Sequence, residues 1–221
     1  MRELETFKLF YDQYLYRLVI QHPLGSIFRD KKFDNARNIL DEMQTQADNG
    51  RPLEWQRGYR YIVPISTKTL ATGQYLLREF TKIDFKSFKL RCESPSIGIY
   101  SNNINWLLAF TRSKLDVTSL SRPHPDIVSD LVPNVIVVKD KIQHEYKITL
   151  GGRVSTSLAD WIDANRDKCK AGPKFLETVR NGRYVDGYYF YVRDEKVLQL
   201  VQLIVGGEIK RIDKFINSMQ S

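Results

Sequence analysis

Between Tyr14 and Gln21 (YLYRLVIQ) the side chains sort by alternation. Tyr14, Tyr16, Leu18 and Ile20 fall on one side, and Leu15, Arg17, Val19 and Gln21 on the other. A period of two predicts a β-strand, and His22–Pro23–Leu24–Gly25 predicts its end, since Pro23 has no N–H to give to a ladder. The period then changes. Ala36, Ile39, Leu40, Met43 and Ala47 recur at spacings of three and four, so a helix is predicted over 35–47, capped by Asp34 and stopped at Asn49–Gly50. A short strand at 58–65 (GYRYIVPI) comes next, followed by a helix from Ser66 or Thr67 to Phe80 with Leu70, Leu77 and Phe80 as its stripe. Gly73 inside that helix predicts either a close approach of another element or a shorter helix, because glycine costs about 1 kcal/mol there in propensity.

Farther along, Phe85, Phe88, Leu90 and Cys92 lead through Ser94–Pro95–Ser96 into Ile97–Tyr100, the grammar of a hairpin. Asn102–Asn103 caps a short helix carrying Ile104, Leu107, Leu108 and Phe110, and 111–134 reads as loop. A second hairpin is expected from Val135–Val138 and Ile142–Leu150, turning at Lys139–Asp140–Lys141. Ser157 and Asp160 resemble a capping box before a helix with Leu158, Trp161, Ile162 and Cys169, and Phe175, Leu176 and Val179 add another helical turn or two. Tyr188–Val192 and Leu198–Val205 read as a third hairpin, with Ile209, Ile212, Phe215 and Ile216 as a terminal helix. The stretches 137–152 and 191–207 echo one another: a valine, a basic residue, an Asp turn, an apolar run and Gly-Gly.

Antiparallel hairpins interspersed with short helices predict an α+β fold rather than a doubly wound one. At 221 residues the chain is read as a single α+β domain over 1–221, with a division into two lobes near 111–134 as the alternative. Cys92 and Cys169 are too few for a disulfide framework or a structural zinc site, which fits a reducing compartment. Residues 1–10 carry Glu3 and Glu5 and no leader-like apolar stretch, and no run approaches a membrane span. The expectation is a soluble, intracellular protein, cytoplasmic or associated with a nucleoid or nucleus, that does not enter a membrane.

Charge sharpens this. The net charge is +8, and it is not spread evenly: 51–91 carries +6 and 168–183 carries +4, over a slightly acidic remainder. In the first window Arg57, Arg60, Lys82, Lys86, Lys89 and Arg91 interleave with Trp55, Tyr59, Tyr61, Phe85 and Phe88. In the second, Lys168, Lys170, Lys174, Arg180 and Arg183 surround a helix end. Cations can neutralise phosphates while aromatic faces stack on unpaired bases. The leading expectation is therefore a protein that binds DNA or RNA within a nucleoprotein complex, non-catalytically and without a cofactor. Tyr184, Tyr188, Tyr189 and Tyr191, close to Arg180 and Arg183, have the chemistry of a protein-contact hot spot. That supports protein partners or self-association, and a structural or assembly subunit as an alternative.

A catalytic alternative rests on Pro125–Asp126 and Glu145–Tyr146–Lys147, which resemble the PD…(D/E)xK pattern of the restriction-endonuclease-like superfamily. The resemblance covers 125–147. It implies a nuclease in which Asp126 and Glu145 hold Mg²⁺ and Lys147 assists the water or the phosphate. On a strand, Glu145 and Lys147 share a face as that chemistry needs. Here, however, Pro133 separates Asp126 from the strand. Neither a glycine-rich phosphate loop nor an HExxH helix is present.

Overall fold

The computed structural model describes residues 1–57 and 61–217, and the chain divides into two compact units: Met1–Thr6 with Gln13–Pro123, and Phe7–Asp12 with His124–Ser221. In the first unit the strands are β1 (Arg2–Thr6), β2 (Tyr16–Gln21), β3 (Glu54–Arg57), β4 (Tyr61–Pro64), β5 (Phe88–Glu93), β6 (Ser96–Ser101) and β7 (Asp116–Pro123). The helices are α1 (Phe33–Asp48), α2 (Thr67–Thr81) and α3 (Ile104–Thr111). The main sheet runs β1-β7-β2-β6-β5, with β1 parallel to β7 and every other pair antiparallel. Strand pleating sends Leu18, Ile20, Phe88, Cys92, Ile97, Ile99 and Leu120 into one core with the apolar stripes of the three helices. β3 and β4 form a separate hairpin.

Local chemistry sets the starts of α2 and α3, whereas α1 begins at Phe33 with no side-chain cap, and Asp34, expected to cap it, lies in its first turn. Ser66 accepts from the Thr69 N–H at 3.1 Å, and Asn103 from the Trp106 N–H at 3.0 Å. Gly73 lies in the middle of a full-length α2, and its reason is a close approach. A Cβ there would sit 3.1 Å from the Leu40 side chain of α1 and 3.5 Å from the His22 ring.

The second unit contains β8 (Val135–Val138), β9 (Tyr146–Leu150), α4 (Ser157–Ala164), β10 (Cys169–Ala171), α5 (Pro173–Arg180), β11 (Tyr189–Val192), α6 (Glu195–Val205) and β12 (Ile209–Asn217). Its sheet runs β10-β11-β9-β12-β8. Tyr146, Ile148, Leu150, Phe190 and Val192 point to the side covered by Leu158 and Ile162 of α4, Phe175 and Val179 of α5, and Val197, Leu198 and Val201 of α6. The early segment Phe7–Asp12 belongs to this unit. Val137 N–H donates to the Phe7 carbonyl at 2.8 Å, and the Arg211 guanidinium donates twice to Asp12 and once to Asp213, each at 2.6 Å.

The α+β class holds, while several elements differ from the sequence pattern. β8 and β9 do not form a hairpin: β12 lies between them, parallel to β8 and antiparallel to β9. Leu198–Val205 is helix, because Asp194 accepts from the Val197 N–H at 3.0 Å and Val197, Leu198 and Val201 follow at helical spacing. The terminal helix expected at Ile209–Ile216 is strand β12, where apolar residues on both faces and a register shift between Ile209 and Arg211 hide the alternation. Part of the expected loop at 111–134 is β7, a strand of small hydroxyl side chains around Leu120.

Strand for strand, the two units use one architecture. β1, β2, β5, β6 and β7 correspond to β8, β9, β10, β11 and β12, in the same sheet order and with one parallel pair at the same edge. The same irregularity recurs. Thr118 is the extra residue where Val19 and Ile20 face Ser119 and Val117, and Lys210 is the extra residue where Thr149 and Leu150 face Arg211 and Ile209. The corresponding strands β2 and β9 read Tyr-Arg-Leu-Val-Ile and Tyr-Lys-Ile-Thr-Leu. The echo of 137–152 in 191–207 is something else, since it matches β8 and β9 with β11 and α6.

Candidate nucleic-acid interface

The face of the second sheet turned away from α4, α5 and α6 carries a row of polar and aromatic side chains. Across the strands, Asp213 on β12, Lys147 on β9, Tyr191 on β11 and Lys170 on β10 occupy one register line. Tyr189 stands one pleat along. Lys147 Nζ lies 4.2 Å from its ring centroid, within cation–π range. Tyr189 and Tyr191 meet edge-to-face with centroids 5.6 Å apart, and Phe215 of β12 continues the line 6.0 Å from Tyr191. Tyr189 is 45% exposed, Lys170 is exposed, and Lys147, Tyr191 and Phe215 are half-buried. Burial and the neighbouring Tyr189 push the Tyr191 hydroxyl up from its ordinary value, so it is protonated at neutral pH. An open depression of about 300 Å³ adjoins the row, lined by Lys141, Gln143, His144, Lys170, Tyr191 and Phe215 among others.

The first unit has the corresponding row: Ser121, Arg17, Tyr100 and Lys89 across β7, β2, β6 and β5. Arg17 lies 5.8 Å from the Tyr100 centroid, whereas Lys147 lies over Tyr189. This row is closed, because Tyr100 is only 4% exposed. The position matching Tyr189 is Gly98, and the Tyr100 ring folds down over it, 3.2 Å from where a Cβ would stand. In the second unit a tyrosine occupies that position and meets Tyr191 edge-to-face.

The two basic windows fall in different units. Of the second, Lys170 is in the row. Lys168 reaches Asn165 Oδ1 at 3.4 Å, and Arg180 pairs with Asp163 and lies 3.9 Å from Asp160, tying α5 to α4. Lys174 is exposed in the first turn of α5, where the helix dipole does not favour a cation, and Arg183 is exposed beyond its end. Of the first window, Lys82 pairs with Glu79 and Arg91 with Glu93, each at 2.6 Å. Lys89 and Arg91 point outward from edge strand β5, and Lys86 is exposed before it. Arg57 lies in β3, and Arg60 lies outside the described residues.

The three residues of the nuclease pattern have separate engagements. Asp126 is exposed beside His124 at 3.3 Å, Glu145 is exposed just before β9, and Lys147 lies over Tyr189. Among the described residues no hydrogen bond or ion pair joins Asp126 to either of the others, and no group of three or more His, Cys, Asp or Glu could hold a metal ion. Burial pushes the thiols of Cys92 and Cys169 up to about 11, so neither is a thiolate at neutral pH. No helix among the described residues is long and apolar enough to cross a membrane.

In sequence, Lys147 reads as a metal-assisting residue, Phe215 as part of a helix, and Tyr189 and Tyr191 as a protein contact. The signal that could have joined them is the i, i+2 spacing of the tyrosines on a strand, with Tyr-Arg and Tyr-Lys recurring in β2 and β9. Comparison with protein-family models, curated proteins and solved structures finds no match to this chain.

Proposed function

We propose that the open face of the second sheet binds single-stranded nucleic acid, DNA or RNA, without catalysing a reaction on it. The observation that carries this is the row Tyr189–Tyr191–Phe215 flanked by Lys147 and Lys170 on a sheet backed by helices. Aromatic rings give unpaired bases a stacking surface, and the lysines meet the phosphates. Supporting it, the net charge is +8. A protein contact is a second role, favoured by the exposed Leu200, Leu203 and Ile204 of α6.

Fluorescence anisotropy with single- and double-stranded oligonucleotides over a salt series tests the proposal. Single strands are expected to bind more tightly than duplexes, because stacking needs unpaired bases. Affinity is expected to fall steeply with salt, and Lys147→Ala and Lys170→Ala are each expected to shallow that dependence by about one phosphate contact. Tyr191→Ala is expected to lose about 1–3 kcal/mol, roughly fivefold to 150-fold, for single strands. Flat, salt-insensitive binding to every oligonucleotide, unchanged in the three variants, would contradict the proposal.

A further inference from the structure

We infer that the depression at the end of this row takes one unstacked nucleotide, its base against Tyr191 and Phe215 and its phosphate against Lys170 and Lys141. The inference rests on the sheet-face reading above and specifies what one part of that face holds. Tyr191 and Phe215 belong both to the aromatic row and to the lining of the depression, so a strand stacked along the row leads into it. Its volume of about 300 Å³ is at the small end of ligand sites, a scale suited to one nucleotide rather than a duplex. The lining also differs from the rest of the face. It adds Gln143, whose amide both donates and accepts and can therefore pair with a donor and an acceptor on the edge of a base, whereas a lysine only donates and the Phe215 ring does neither. His144 stands beside it. Burial, with Lys170 and Arg193 nearby, holds its pKa below the ordinary value, so at neutral pH the imidazole is uncharged and presents a ring face and one acceptor. Cation, aromatic wall and amide are the three chemistries that a phosphate, a base plane and a base edge require, and they converge on one hollow, where Lys141 and Lys170 outnumber the one carboxylate of the lining, Asp140.

A fluorescent adenine analogue placed at successive positions of a short single strand tests this on the full chain, with anisotropy read on the same samples. One position is expected to show a change in emission well beyond the others on binding. Gln143→Ala is expected to lower affinity about threefold to tenfold, the loss of a hydrogen bond, and to diminish the change at that position. Tyr189→Ala, outside the hollow, is expected to lower affinity while leaving the position-specific change intact at saturation. Binding with an equal response at every position would overturn the nucleotide slot and leave the sheet-face reading standing. No binding by anisotropy would overturn both.

Discussion

Phe80→Ala is expected to destabilise the first unit by about 3–5 kcal/mol, the range for removing a large aromatic from a packed core. Phe80 is 1% exposed on the inward face of α2. Its ring meets Phe28 edge-on at 5.3 Å, stacks with Phe33 and Phe88 at 5.9 Å each, and touches Trp106 and Phe110 at 6.4 and 6.0 Å. These neighbours come from α1, α3, β5 and the turn before α1, so no single element can collapse into the space left behind. The ring pairs also lose interaction beyond the buried area, about 0.5–1.5 kcal/mol for a favourable pair. Phe80→Leu, which keeps most of the volume, is expected to cost clearly less. Urea unfolding of both variants checks this, and a loss below about 1 kcal/mol for Phe80→Ala would contradict the hub role given to that ring.

The second large effect depends on pH. His22 is 2% exposed. Its Nδ1 accepts from the Leu24 N–H at 3.2 Å, and its Nε2 is 3.0 Å from Thr72 Oγ1, whose hydroxyl is within reach of the Lys68 and Thr69 carbonyls. A proton on Nδ1 would break the Leu24 bond and bury a charge. Desolvation accordingly lowers the pKa from 6.5 to about 4. The unfolded chain binds this proton more readily than the folded one, so the stability tied to the neutral ring is fully present above about pH 6.5. It is lost as pH falls towards 4, to a total of about 3 kcal/mol. His22→Gln keeps an uncharged donor and acceptor and is expected to show a shallower loss over that window in denaturant titrations. Equal pH slopes in the two proteins would contradict the account.

Much of the fold was legible because local signals and tertiary demands agree there. The Asn103 cap, the α1 stripe of Ala36, Leu40 and Met43, and the alternation in β2 each point one way and are obeyed. The failures sit where pairing is decided by distant partners. β12 carries Ile209, Ile212, Phe215 and Ile216 at a helical spacing, yet it is drawn into the sheet between β8 and β9. Asp194 serves equally as a turn residue or as a helix cap, and only the N–H of Val197 settles it. The candidate interface was less legible than the fold for the same reason. Lys147, Lys170, Tyr191 and Phe215 come from four strands, and nothing local ties them to one face. Charge counted along the chain singled out windows, whereas the sheet joins one lysine of a window to one from outside it.

The most direct measurement for the single-strand platform is photocrosslinking of the full chain to single strands carrying a photoreactive pyrimidine, with the attached peptides identified by mass spectrometry. The account predicts crosslinks at Tyr189, Tyr191 or Phe215, with the buried Tyr100 unmodified. Crosslinks absent from β11 and β12 while the strand is demonstrably bound would contradict it.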